Sequence, residues 1–199
     1  MTVWPIGADE LAPVRDAARS AARIDEARLD APDQRSARER VRSLLVEHGE
    51  ALADRTTAPG HLTGSAVVVD ADCERVLVLL HTKLQRWLQP GGHADGDHEL
   101  AGVALREASE ESGIAGLRVV TPAIDLDVHR VDHGDALGEH LHLDLRFVVL
   151  APEGSIPVGN HESQAIRWVT LDELSRFADE PGLLRLARLG LETARRSAT

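Results

Sequence analysis

The sequence is poor in several residue types on which specialised protein classes depend. It contains a single cysteine, Cys73, so no disulfide can form within the chain, and aromatic residues make up only 3% of its 199 residues. No apolar run reaches the roughly 18 residues that a membrane-spanning helix requires, and the first residues lack the charged-then-apolar pattern of a secretory signal. We therefore expect a cytoplasmic protein, not embedded in a membrane, whose core is built from Ala, Val and Leu.

Basic residues are also fewer than acidic residues. The chain carries 22 Lys and Arg against 33 Asp and Glu, which gives a formal net charge of −11. Since proteins hold nucleic-acid polymers largely through Lys and Arg on the phosphates, this balance argues against DNA or RNA as a partner. A small phosphorylated molecule remains compatible with it, because a bound divalent cation can supply positive charge locally. The expected partner is a small molecule.

The rest of the composition, 43% hydrophobic and 28% charged, is that of a folded globular chain. Helical periodicity predicts helices over 8–29 and 36–53, and from Leu62 the pattern changes to short β-branched or Leu-rich runs. We interpret residues 1–58 as a helical N-terminal extension and residues 59–199 as a mixed α/β domain. Its predicted elements are strands at SAVVVD and RVLVLLH, a helix over 97–112, strands near 117–129, 139–150 and 165–170, and helices from Leu171 and Gly182.

The helix that follows the WLQPGG segment breaks the amphipathic pattern. Leu100 and Val103 define its inward stripe, but Glu107 and Glu111 continue that same stripe and Glu110 lies beside it. The three acids crowd the C-terminal half of the helix, where the helix dipole and their mutual repulsion disfavour negative charge. A local rule broken this consistently often marks a functional site.

Two interpretations of these acids are open. The last turn can overhang the sheet, which leaves the carboxylates solvated, or the carboxylates can bind a divalent metal such as Mg²⁺, which prefers oxygen ligands. Arg106 is one turn from Glu110 and forms either part of that site or an ordinary surface ion pair.

The segment GGHADGDHELAGVALREASEESGI, residues 91–114, resembles the signature box of the Nudix hydrolases. A spaced constellation of this kind is far more specific than a lone glycine motif. The residues in register with the family pattern are Gly92, Arg106, Glu107, Ala108, Glu110, Glu111, Gly113 and Ile114.

The resemblance implies a Nudix-type α/β/α sandwich with a mixed sheet over roughly 62–180, preceded by the helical extension, so that 59–199 is a Nudix hydrolase domain. It implies that Glu107, Glu110 and Glu111 bind Mg²⁺ or Mn²⁺ and that Arg106 orients Glu107 or Glu110. The implied reaction is attack of water on phosphorus in a nucleoside diphosphate linked to another group.

One position departs from the family pattern. The first box glutamate is expected at position 98, which is His98, whereas the Gly-acid pair occurs one residue early as Gly96-Asp97. We interpret this as a loop shortened by one residue, in which Asp97 caps the helix and partly replaces the missing glutamate. The change affects the expected rate and metal geometry more than the reaction class.

Outside the box, residues 139–147 alternate with period two. His140, His142, Asp144 and Arg146 share one face. That face is either the solvent side of an edge strand or, as its suitability for phosphate and metal suggests, a substrate-binding wall to which Gly92 also contributes.

The general base of the family varies in position. Our first candidate is Glu139, followed by Glu162 and Asp144.

The other histidines, His93, His98, His129 and His133, match no closed zinc pattern. We expect scattered surface histidines rather than a zinc site.

Three rival functions remain at this stage. They are pyrophosphohydrolysis of nucleoside triphosphates, nucleotide binding by a non-catalytic regulatory Nudix domain, and prenyl diphosphate isomerisation, which is disfavoured because Cys73 lies in a turn well before the box. The N-terminal helices are a dimerisation element, a substrate lid or a packing extension, so a homodimer is among the expected states.

Overall fold

The structure is a computed structural model that describes residues 5–132, 139–178 and 180–197. It contains one mixed sheet with helices on both faces. The strands are β1 (Pro5–Ile6), β2 (Gly60–Val69), β3 (Arg75–His81), β4 (Trp87–Leu88), β5 (Gly91–His93), β6 (Arg118–Asp132), β7 (Glu139–Leu150) and β8 (Ser163–Thr170). The helices are α1 (Ala17–Glu26), α2 (Pro32–His48), α3 (Leu100–Ser112), α4 (Leu171–Ser175) and α5 (Pro181–Ser197).

The sheet is built around the long strands β2 and β7. Its order is β1-β6-β7-β2-β3-β4, with β5 paired to β2 and β8 paired to β3. β2 and β7 run parallel over their full paired length, from Gly60 opposite Leu141 to Val69 opposite Leu150. The alternative that residues 139–147 form an edge strand is therefore wrong, because both edges of β7 are paired, one to β2 and the other to β6.

Alternation along the strands divides the core into two layers. Leu62, Val68 and Phe147 lie in a hydrophobic cluster on the face covered by α1, α2 and α3. Val67 and Val148 lie in a second cluster on the face covered by α5. The predicted α/β/α sandwich is confirmed, and the strands and helices of its C-terminal half begin and end within a few residues of the predicted positions.

The helical N-terminal extension is also confirmed, with different boundaries. The single helix predicted over 8–29 is a 3₁₀ turn at Ala8–Glu10 followed by an irregular segment and then α1, since Pro13 lacks the N–H that a helix interior requires. The second helix starts earlier than predicted, at Pro32, because proline suits the first turn of a helix.

The extension shares its core with the rest of the chain. Ile24 of α1 and Val41 of α2 lie in the same hydrophobic cluster as Leu62 and Phe147. This packing agrees with a packing extension, while the division between residues 58 and 59 and the homodimer stay predictions. Among the described residues, no helix combines the length and the apolar character needed to cross a membrane.

Candidate active site

The N-terminal cap of α3 lies two residues later than predicted. The helix begins at Leu100, and its cap is Glu99, whose side chain accepts a hydrogen bond from the Ala101 N–H. The interpretation of Asp97 as the helix cap is therefore wrong. Asp97 Oδ1 instead accepts from the backbone N–H groups of Glu99 (2.9 Å) and Val14 (3.0 Å), because the loop between β5 and α3 packs against the segment that precedes α1.

His98 also contacts the N-terminal extension. His98 is fully buried, its Nδ1 lies 2.9 Å from Ser20 Oγ of α1, and its Nε2 lies 3.1 Å from the Glu50 carbonyl oxygen. Glu99 is also buried and forms ion pairs with Arg19 and Arg23 of α1. The residue that replaces the first box glutamate thus helps to dock α1 on the start of α3.

Two of the box glutamates are withdrawn from solvent. Glu111 is 5% exposed, the Glu107 side chain is half-buried, and Glu110 is exposed. Burial raises the pKa of Glu111 to about 8, and the charges of Glu107, Glu162 and Glu110 add to the rise, while a hydrogen bond from the Gly91 N–H (2.9 Å) opposes it. Burial raises the pKa of Glu107 too, against the lowering effect of Arg106.

The two glycines at the entry to the box make room for side chains on both faces of β5. A Cβ atom on Gly92 would lie 2.5 Å from Cδ of Glu107, and one on Gly91 would lie 2.9 Å from Cβ of Ser65 on the opposite face of β5. Both distances are far below an ordinary contact between carbon atoms, about 3.5–4.0 Å. Gly92 therefore allows Glu107 to lie directly against the backbone of β5.

Arg106 links the helix to the preceding loop. Its Nη2 donates to Glu107 Oε1 (3.2 Å) and to the His93 carbonyl oxygen (3.4 Å), and its Nη1 lies 3.7 Å from Asp97 Oδ2. Of its two expected partners, Arg106 contacts Glu107 and not Glu110 in the described structure. Asp97 faces Arg106 even though it does not cap the helix.

The candidate bases lie in different places. Glu139 is at the start of β7, where its side chain is 58% exposed and forms an ion pair with Arg130 (2.8 Å). Glu162 precedes β8, and its charge raises the pKa of both Glu107 and Glu111. The structure thus brings Glu162, the second of the sequence candidates, toward the box carboxylates.

The donor set suits a hard divalent cation. Within the described residues, Glu111 forms no ion pair, although it is buried among other acids at the C-terminal end of a helix. A cation bound by Glu107, Glu110 and Glu111 would offset this uncompensated charge, and carboxylate oxygens are the ligands that Mg²⁺ and Mn²⁺ prefer. The residues present therefore fit the metal that the box implies.

Two of the expected substrate-binding residues are already engaged with neighbouring side chains. Asp144 accepts hydrogen bonds from Thr63 (2.9 Å), Ser65 (2.8 Å) and Arg146 Nε (2.6 Å). Arg146 is buried and also contacts Asp125 (3.3 Å) and Asp127 (2.9 Å). A phosphate would have to compete with these carboxylates for Arg146.

The histidines are not scattered over the surface, so that expectation is wrong. His140 and His142 meet His61 and His93, with ring centroids 4.8–5.3 Å apart. His129 lies beside His142, 5.5 Å between ring centroids, whereas His133 is outside the described residues. The sequence analysis missed His61, because only the parallel pairing of β2 with β7 brings it opposite His142.

Burial keeps His61 neutral. Its pKa is lowered to about 4, first by burial and then by the positive charges that His93 and His140 would carry when protonated. A neutral imidazole retains one nitrogen lone pair. His129 differs from it: burial lowers its pKa, but the hydrogen bond to Asp127 (3.1 Å) and the charges of Asp144 and Asp127 together outweigh burial and raise the pKa.

Comparison with known proteins identifies the family of the chain. The family model of the NUDIX domain matches residues 60–189, which is more than half of the chain, so the protein belongs to the Nudix family. A search of curated proteins found no match.

Several solved structures share the fold. A NUDIX-family hydrolase from Clostridium perfringens is 20% identical with a TM-score of 0.51, and the match covers 67% of this chain and 97% of the other. An Ap4A hydrolase from C. elegans is 17% identical (TM-score 0.53; 69% and 98% covered). The dihydroneopterin triphosphate pyrophosphohydrolase of E. coli is 15% identical (TM-score 0.54; 66% and 95% covered).

Proposed function

We propose that this chain is a metal-dependent pyrophosphohydrolase that cleaves a phosphoanhydride bond in a nucleoside diphosphate linked to another group, such as a sugar or a second nucleotide. The observation that carries the proposal is the position of Glu111. Glu111 is 5% exposed, has no ion-pair partner among the described residues and lies next to Glu107, so its ionised form is destabilised unless a cation binds it.

The residues of the chain then have separate tasks. Glu107, Glu110 and Glu111 would hold Mg²⁺ or Mn²⁺, and Arg106 would position Glu107 through the 3.2 Å hydrogen bond. When bound, the metal would polarise the phosphoryl oxygens, promote deprotonation of the attacking water and offset the charge of the leaving group. The backbone N–H of Gly91 fixes one oxygen of Glu111, which leaves its other oxygen for the cation.

Glu162 is the candidate that the geometry favours as the proton acceptor for the attacking water. Its charge acts on both Glu107 and Glu111, whereas the Glu139 carboxylate is paired with Arg130. If this assignment is correct, Glu162→Gln lowers kcat by about 10²–10⁴-fold, and the matched variant Glu139→Gln changes it little. A larger loss in Glu139→Gln than in Glu162→Gln would restore Glu139 as the base.

The substrate class rests on the acidic composition and on the box. Hydrolysis of nucleoside triphosphates is the nearest rival, since the same carboxylates serve both. Prenyl diphosphate isomerisation finds no support, because Cys73 lies in the turn after β2, among apolar residues on the α5 side of the sheet.

The test is turnover against a panel of nucleotide sugars, dinucleoside polyphosphates, ADP-ribose and nucleoside triphosphates. Each substrate is measured with Mg²⁺, with Mn²⁺ and with EDTA, in wild type and in Glu111→Gln. The proposal expects cleavage of a diphosphate-linked class that EDTA abolishes. Cleavage of triphosphates alone would establish the rival substrate class, and tight nucleotide binding without turnover would establish a regulatory domain.

A further inference from the structure

A second group of metal-ligating side chains lies on the opposite side of β5 from the box carboxylates. The Cβ position of Gly92 faces Glu107, so the next side chain, His93, points to the other face, where it meets His61. On that face His61 of β2 stands opposite His142 of β7, and His140 lies two residues before His142.

These three histidines are close enough to share one ion. One nitrogen from each of His61, His140 and His142 can be chosen so that all three lie within 4.8 Å of one another. Tetrahedral zinc has Zn–N distances of about 2.0–2.1 Å, which places its nitrogen ligands roughly 3.4 Å apart. Side-chain rotations that bring the nitrogens closer by up to about 1.4 Å would therefore complete three corners of such a site.

The buried side chain of His61 supplies an independent observation that points to a ligand. Its side chain is 1% exposed, and among the described residues neither Nδ1 nor Nε2 has a hydrogen-bond partner. Buried polar atoms are nearly always satisfied, because leaving one without a partner costs about 1–3 kcal/mol. An ion bound by His61 would satisfy one of these nitrogens.

We propose that His61, His140 and His142 form a binding site for a borderline transition-metal ion of the Zn²⁺ class, distinct from the carboxylate site on α3. Imidazole nitrogen selects Zn²⁺, Co²⁺ or Ni²⁺, whereas carboxylate oxygen selects Mg²⁺ or Mn²⁺, so the two sites differ in the metal they prefer. His142 is half-buried and gives the ion a route from solvent, and a water molecule can take the fourth position.

The ion would join two strands. His61 lies near the start of β2, while His140 and His142 lie near the start of β7, so one bound ion would cross-link this parallel pair at its N-terminal end. Since a ligand that binds only the folded state stabilises it, Zn²⁺ is expected to raise the melting temperature of the protein by several degrees.

The test uses the full-length chain without a histidine tag, stripped of metal with EDTA and dialysed. Titration with Co²⁺ should produce the visible absorption of a tetrahedral complex with nitrogen ligands, saturating at one equivalent. Calorimetric titration with Zn²⁺ should likewise give one bound equivalent. His61→Ala and His142→Ala should each weaken binding by at least about 100-fold and abolish the rise in melting temperature. His142→Gln is the second variant if an alanine variant fails to fold, as judged by circular dichroism.

Two controls separate this site from its neighbours. His129→Ala removes an adjacent histidine that is paired with Asp127, and Glu111→Gln removes a ligand of the proposed carboxylate site. Both should retain the tetrahedral Co²⁺ spectrum with an affinity within a few-fold of wild type. The proposal is overturned if wild type binds no Zn²⁺, if His61→Ala binds it as well as wild type, or if Glu111→Gln abolishes the binding.

Discussion

Substitution of Gly92 by alanine should greatly reduce activity while leaving the fold intact. The new methyl group would lie 2.5 Å from Cδ of Glu107, and relief of that overlap to an ordinary contact of about 3.5 Å moves the carboxylate by roughly 1 Å. The displaced group is the end of a flexible side chain, so the backbone need not shift. Misplacement of a catalytic group by 1 Å can cost about 10²-fold in rate, and we expect a loss of at least that size.

The assay compares kcat/KM and the urea midpoint of Gly92→Ala with those of wild type. Gly102→Ala is the matched control, because a Cβ on this glycine of α3 has its nearest neighbours 3.3–3.5 Å away and alanine favours a helix. The control should keep its activity, and its stability should change by no more than about 1 kcal/mol. Gly92→Ala with near wild-type turnover would refute the placement of Glu107 against β5.

Three further predictions concern α3 and the segments that contact its first turn. Because the pKa of Glu111 is raised to about 8 from 4.5, its penalty on the metal-free fold is absent below pH 4.5 and complete above about pH 8. The stability advantage of Glu111→Gln, measured by thermal melts in EDTA, should therefore grow with pH across that range; a difference independent of pH would contradict the assignment. Asp97→Ala should reduce turnover by about tenfold, less than Glu111→Gln does, and an equally severe loss in side-by-side kinetics would mean that Asp97 does more than face Arg106. Arg23→Ala should cost about 2–3 kcal/mol in urea unfolding, since Glu99 keeps Arg19 as a partner, and a cost below about 0.5 kcal/mol would refute a stabilising role for this buried pair.

Much of the fold could be predicted because its signals are local. The apolar runs that became β2 and β3, and the helix before Gly113, follow periodicities that short-range sterics enforce. The boundary errors fall where local rules compete, as at Pro13, which interrupts a helical pattern, and at Pro32, which starts one. The pairing of β2 with β7 could not be predicted, since residues about 80 positions apart must meet and no local signal encodes that register.

The candidate site likewise contains residues that the sequence identifies and residues whose role depends on tertiary contacts. Glu107, Glu110 and Glu111 stand out in the sequence because they occupy or adjoin the inward stripe of one helix, and the structure buries the two in that stripe the most. The role of His98 could not be read from the sequence, because its partner Ser20 belongs to another helix. The position of Glu162 near the box and that of His61 near β7 depend likewise on strand pairing.

The most direct test of the central claim is cleavage of a diphosphate-linked nucleotide by wild type, Glu110→Gln and Glu111→Gln over a Mg²⁺ titration. We expect wild-type turnover that vanishes in EDTA and returns with Mg²⁺ or Mn²⁺. In each variant we expect a loss of about 10²–10³-fold or more, with an unchanged circular dichroism spectrum. Wild-type turnover in both variants would contradict a metal site at the end of α3.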